Sequence, residues 1–119
     1  MEKYVNDDAI KLDCGNLCCP RCGDAFGLHS AGVEVWGRSH DAAQGLHVSI
    51  NEVEFKPALV ATTDLEDNPS SRRQGISVRF WCEQCAAGFA LTFAQHKGSE
   101  IVTFEEHPEL TKVVMKYMT

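Results

Sequence analysis

A small, mostly antiparallel β domain ending in one helix is predicted by three features of the 119-residue chain. These are short stretches of alternating apolar and polar residues, turn signals between them, and a single terminal segment with helical periodicity. The length suits one core, so residues 1–119 read as one domain.

Taken in order, Val33 and Val35 flank Glu34, and Leu46, Val48 and Ile50 alternate with His47, Ser49 and Asn51, the period-two pattern of a half-buried sheet. Ile76, Val78 and Phe80 then alternate with Ser77, Arg79 and Trp81, and Phe89, Leu91 and Phe93 with Ala90, Thr92 and Ala94. Lys97-Gly98 offers a turn into a fifth strand from Ile101 to Phe104. From about 108 to 118, Leu110, Val113, Val114, Tyr117 and Met118 recur at helical spacing, and Pro108 suits the first turn. Glu105, Glu106 and Glu109 near its start and Lys112 and Lys116 towards its end follow the order a helix dipole favours. The apolar stripe is expected to pack on the sheet. The polar segment 63–75 contains Pro69 and Gly75 and has neither periodicity, which marks a long loop of the kind that carries function or disorder.

No apolar run approaches the roughly 18 residues of a membrane helix, and the N-terminus lacks the basic-then-apolar order of a secretory signal, so a cytoplasmic protein without membrane contact is expected. Seventeen acidic against eleven basic residues leave a formal charge of -6, which opposes binding to a phosphate backbone.

Six cysteines lie at positions 14, 18, 19, 22, 82 and 85 and form two Cys-x-x-Cys pairs, Cys19–Cys22 and Cys82–Cys85. In a reducing compartment such pairs hold metal more often than they form disulfides. Each can fold into a tight turn that aims two thiolates at one point, so the four together suit a tetrahedral structural zinc site. Gly23 supplies the positive φ such a turn tends to need, whereas the second pair is followed by Ala86-Ala87-Gly88. An iron-sulfur cluster uses the same ligand set, and a redox pair or free buried thiols would leave the same residues. Cys14 and Cys18 are surplus and are expected to pack as small apolar residues, although Cys18 adjoins Cys19 and could exchange with it.

The run Cys19-Pro20-Arg21-Cys22-Gly23, with a second knuckle that follows the strand Ile76 to Trp81, resembles the zinc-ribbon family. The resemblance covers the knuckles at 19–23 and 82–88 and their flanking strands. It departs in the 59 residues from 23 to 81 between the pairs, so either a β segment at 24–81 is inserted into the ribbon or the metal clamps the two ends of a larger domain. Together with Asn68-Pro-Ser-Ser-Arg-Arg-Gln-Gly75, Phe80-Trp-Cys-Glu-Gln-Cys85 and Gln95-His-Lys-Gly98, the chain from 18 to 100 resembles a group of short proteins of bacteria and their phages. That resemblance implies a phage or prophage setting and carries no catalytic residues with it.

Three functions remain in view. The first is a zinc-stabilised binding or adaptor module contacting a protein partner through Arg72 and Arg73, whose planar forks suit carboxylate or phosphate, unless they only balance Asp64, Glu66 or Asp67. The second is a single-stranded nucleic-acid binder using Arg72, Arg73, Arg79 and Lys97 with Trp36 or Trp81 as a stacking platform. The third is a metal-dependent nuclease, for which Glu54-Phe55-Lys56 is the only fragment. His29, His40, His47, His96 and His107 show no metal-ligand spacing, and the expected role is non-catalytic.

Overall fold

The computed structural model describes residues 10–53 and 56–118. Among these residues eight strands precede one helix: β1 Leu12–Asp13, β2 Asn16–Leu17, β3 Leu28–Gly37, β4 Leu46–Val53, β5 Lys56–Thr62, β6 Gly75–Cys82, β7 Ala87–His96, β8 Ser99–Glu106 and α1 Pro108–Met118. β1 and β2 form a small hairpin, and the other six make one antiparallel sheet in the order β5-β4-β3-β6-β7-β8. The mostly antiparallel β fold with a C-terminal helix is therefore the architecture observed, with three strands beyond the five expected.

β5 escapes the alternation test because its residues run Lys-Pro-Ala-Leu-Val-Ala-Thr, and Pro57 is tolerated because the strand lies at a sheet edge. The β7–β8 turn is the expected Lys97-Gly98 pair, with φ of 47° and 83°, as a two-residue hairpin of this type requires. Cys14 and Gly15 turn the small hairpin in the same way, at φ of 50° and 84°.

Directly paired residues share a face, so the register sorts the sheet into rows. Ser49, Glu34, Ser77, Thr92 and Thr103 form one polar row across β4, β3, β6, β7 and β8. On the opposite face Ile50, Val33, Val78, Leu91 and Phe104 form an apolar row, and Val48, Val35, Ile76, Phe93 and Val102 form a second beside it.

The polar face is the covered one. At one end the 63–74 segment folds over it: Trp36 is wholly buried, its Nε1 donates to the Glu66 carbonyl at 3.1 Å, and its ring stacks on His47 with centroids 4.5 Å apart. Glu34 accepts from His47 Nε2 at 3.1 Å and pairs with Arg79, whose Nε donates to Ser77 Oγ at 2.9 Å, so the charges on this face satisfy one another. At the other end α1 lies on β7. A Cβ at Gly88 would overlap Leu110, which is why the helix can approach so closely here. Its inward stripe is the half-buried Leu110 and Thr111 with the buried Val114, whereas Val113, expected to face the sheet, is 50% exposed. Thr111 sets this rotation: its Oγ1 accepts from the Gly88 N–H at 3.0 Å and donates to the Glu106 carboxylate at 3.1 Å.

His107 caps the helix. Its carbonyl accepts from the Thr111 N–H at 2.9 Å and its Nδ1 from the Leu110 N–H at 3.1 Å, which requires the neutral ring. Burial, aided by Arg79, lowers its pKa from the ordinary value, against the opposing pull of Glu34, Asp67 and Glu109. A histidine with a depressed folded pKa contributes fully above the unfolded value near 6.5 and loses that contribution as pH falls through the folded one. The contribution of His107 to stability is therefore expected to be constant above about pH 6.5 and to fall below it by up to about 1 kcal/mol, the worth of a cap. Urea unfolding at several pH values should show this in the parent and a flatter profile in His107→Asn, where the amide caps at any pH.

Among the described residues no helix is long and apolar enough to cross a membrane.

Candidate metal centre

The 59-residue separation of the two cysteine pairs is resolved by the sheet. β3 and β6 are central neighbours, and their register places Leu28 opposite Cys82, so the chain leaves the first knuckle, runs out and back, and returns to the same end. The second knuckle is the loop of the β6–β7 hairpin, where Cys82 pairs with Ala87. Glu83 N–H donates to the Gly27 carbonyl at 2.9 Å, which ties the two knuckles through the backbone.

In the first knuckle Gly23 adopts the expected positive φ, 77°, and its N–H donates to the Cys19 carbonyl at 3.0 Å. The same position of the second knuckle is Ala86, at φ of 52°, so an L-residue takes the left-handed conformation a glycine would take without strain.

The knuckles bring the sulfurs of Cys19, Cys22, Cys82 and Cys85 within 4.8 Å of one another. The Cys19–Cys85 and Cys22–Cys82 pairs are each 3.7 Å apart. A tetrahedron with metal-sulfur bonds of about 2.3 Å has edges of about 3.8 Å, so two of its edges are already at length and the four thiols are close enough together to hold a metal ion. Cys19, Cys82, Ala87, Phe89 and Phe104 form the buried core beneath, and Arg21 closes the rim by pairing with Glu106 and lying 5.9 Å from the Phe89 ring centroid.

Electrostatics favour a cation here. Burial raises the Cys19 thiol, but the Cys22 and Arg21 N–H groups and the nearby Cys85 and Cys22 thiols more than offset this, so its pKa lies below the ordinary value. Burial pushes Cys85 up to about 12, helped by Cys82 and Cys19. At Cys22 the Asp24 N–H pulls down, while burial and the Cys19 and Cys82 sulfurs together win and raise it. Cys19 is thus the thiol whose ionisation the site favours relative to an ordinary cysteine, and negative charge on it disfavours ionisation of Cys22 and Cys85, a repulsion that a bound cation would relieve.

The remaining site expectations divide. Cys18 is buried, with its thiol 3.8 Å from the Asn16 carbonyl, but Cys14 is exposed at the tip of its hairpin, which corrects the expectation that both pack inside. Arg72 forks both oxygens of Asp41 at 2.6 Å, and this guanidinium holds the Asp41 carboxyl down at about 2. Its acidic partner thus lies in the 38–45 loop and not among Asp64, Glu66 and Asp67 of its own segment. Arg73 Nε donates to His40 Nδ1 at 2.8 Å, and Arg38 reaches the Ser71 carbonyl at 2.8 Å, so the 63–74 segment is buttoned to its neighbour. Ser70 Oγ adds a bond to the Gln95 carbonyl at 2.9 Å.

Trp36 cannot stack on a base, because it is fully buried, and Trp81 stacks on His29 with centroids 4.3 Å apart. Arg79 is engaged by Glu34, on the covered face, while Lys97 is exposed in the β7–β8 turn. Glu54 and Phe55 lie outside the described residues, as does the side chain of Lys56.

What residue patterns alone missed is the open apolar face of the sheet; the signal was present in the alternation, but alternation does not say which face is covered. Compared with family models, curated proteins and solved structures, the chain matches none.

Proposed function

We propose that this chain is a zinc-stabilised binding module of the cytoplasm, in the bacterial or phage setting its resemblance implies, acting through protein–protein contact without catalysis. Four thiols within 4.8 Å of one another are soft donors that suit zinc, and the ion would supply structure by clamping the N-terminal segment to the end of the β3–β6 pair.

The observation that carries the binding role is the open apolar face. Val35 and Ile76 are each 39% exposed and Ile50 is 53% exposed, on two rows that contain no charged residue, and Leu46, paired with Gly37 on the same face, is 52% exposed. A contiguous apolar patch of this kind on a folded chain marks a contact surface. Arg72 already spends its fork on Asp41 and Arg73 donates through Nε to His40, whereas the sheet face is free of such contacts among the described residues.

Photo-crosslinking side chains at positions 50 and 76, introduced into the full chain in growing cells, are expected to yield covalent adducts, whereas position 109 on the outer side of α1 is expected to yield none. Absence of any adduct at 50 and 76 would overturn the reading.

A further inference from the structure

Resting on that reading, we infer that the occupant of the open sheet face is a second copy of this chain, so that two sheets pack face to face as a sandwich. A sheet needs a second layer on each apolar face. Here the layers are misallocated for a lone chain: α1 and the 63–74 segment both lie on the polar face. Among the described residues the apolar face is closed only at its metal end, where the knuckles cover Phe89 and Phe104.

The open rows continue that core directly. Phe104, on the edge strand β8, is 4% exposed, while Ile50, four strands across the same row on β4, is 53% exposed. Burial thus declines along one row from the metal centre outwards, and a facing sheet would extend the same core over its uncovered part.

Two properties select an identical partner. The rows carry no charge, so they offer no electrostatic complement by which an acidic or basic partner would be recognised, and interfaces between identical chains are the more apolar class. The area also suffices. Four side chains exposed by 39–53%, with their half-buried neighbours, leave on the order of 500 Å² of apolar surface per copy, or about 1,000 Å² for a pair, the lower bound for a specific interface. A two-fold arrangement covers both faces with one contact, and sheets so stacked lie about 10 Å apart.

The formal charge of -6 on each copy is expected to repel its partner from outside the contact, so added salt should tighten the pair. Sedimentation of the zinc-loaded full chain between about 1 and 100 µM is expected to show a dimer whose dissociation constant falls as salt rises. Ile76→Asp should raise that constant by at least about 30-fold, and the near-isosteric Val35→Thr, which keeps a β-branched strand former, should raise it by about tenfold with metal content unchanged. A parent chain that sediments as a monomer throughout, or a dimer equally tight in both variants, would overturn the inference. The crosslink at position 76 separates the two claims: an adduct of twice the chain mass supports both, and an adduct of any other mass overturns the second copy alone. No adduct overturns the binding role itself.

Discussion

Replacing Cys82 with serine is expected to abolish both metal binding and the folded state. Cys82 is completely buried, its sulfur is 3.7 Å from that of Cys22, and it ends the strand that faces Leu28, so it belongs at once to the site and to the core. Structural zinc sites contribute on the order of 10 kcal/mol, which is comparable to the entire stability of a domain, about 5–15 kcal/mol. A serine hydroxyl there would also lie buried without the ligand geometry of a thiolate. Elemental analysis should find one zinc per parent chain and none in the variant, and circular dichroism should show the variant unfolded. Chelation of the parent should reproduce the unfolding and added zinc should reverse it, which separates loss of metal from damage by serine. Cys14→Ser, at an exposed turn, should change neither reading. Metal content and melting temperature unaltered in Cys82→Ser would remove zinc from the proposal.

The second large effect is expected at the opposite end of the sheet. Trp36→Ala should destabilise the domain by about 3–5 kcal/mol, because a fully buried indole leaves a cavity between His47 and the 63–74 segment. Trp36→Phe keeps most of the volume but deprives the Glu66 carbonyl of its donor, and should cost about 1–2 kcal/mol. Denaturant unfolding measures both, with bound zinc expected to remain stoichiometric in each folded variant. An alanine variant as stable as the parent would mean that the segment does not depend on this anchor.

The residues that were legible beforehand are those whose chemistry is local. Two Cys-x-x-Cys pairs announce a four-thiol cluster whatever lies between them, and Pro108 with the following apolar repeat marks the helix whose bounds the structure reproduces. Local pattern could not rank Val113 against Thr111, because what rotates the helix is a hydroxyl bond to Gly88, 23 residues away. It likewise had no access to the Asp41 partner of Arg72, 31 positions distant, nor to Trp36 being roofed by the Glu66 carbonyl. The alternation of β3, β4, β6 and β7 was readable, but the long loop and the helix choose the polar side, and that choice is tertiary.

The strand order also dictates how the chain must assemble. β3–β4–β5 and β6–β7–β8 are each a meander of sequential neighbours, whereas the β3–β6 contact joins residues as far apart as Leu28 and Cys82. Hairpins between sequence neighbours close small loops and form in microseconds, while joining the two meanders closes a long one and sets the folding rate. The sulfurs of Cys19 and Cys85 and of Cys22 and Cys82, 66 and 60 residues apart, stand at one end of that seam. An ion caught in the unfolded chain by either local pair, Cys19 with Cys22 or Cys82 with Cys85, would recruit the other, which would shorten the loop left to close and direct the two halves into the one register that satisfies all four sulfurs.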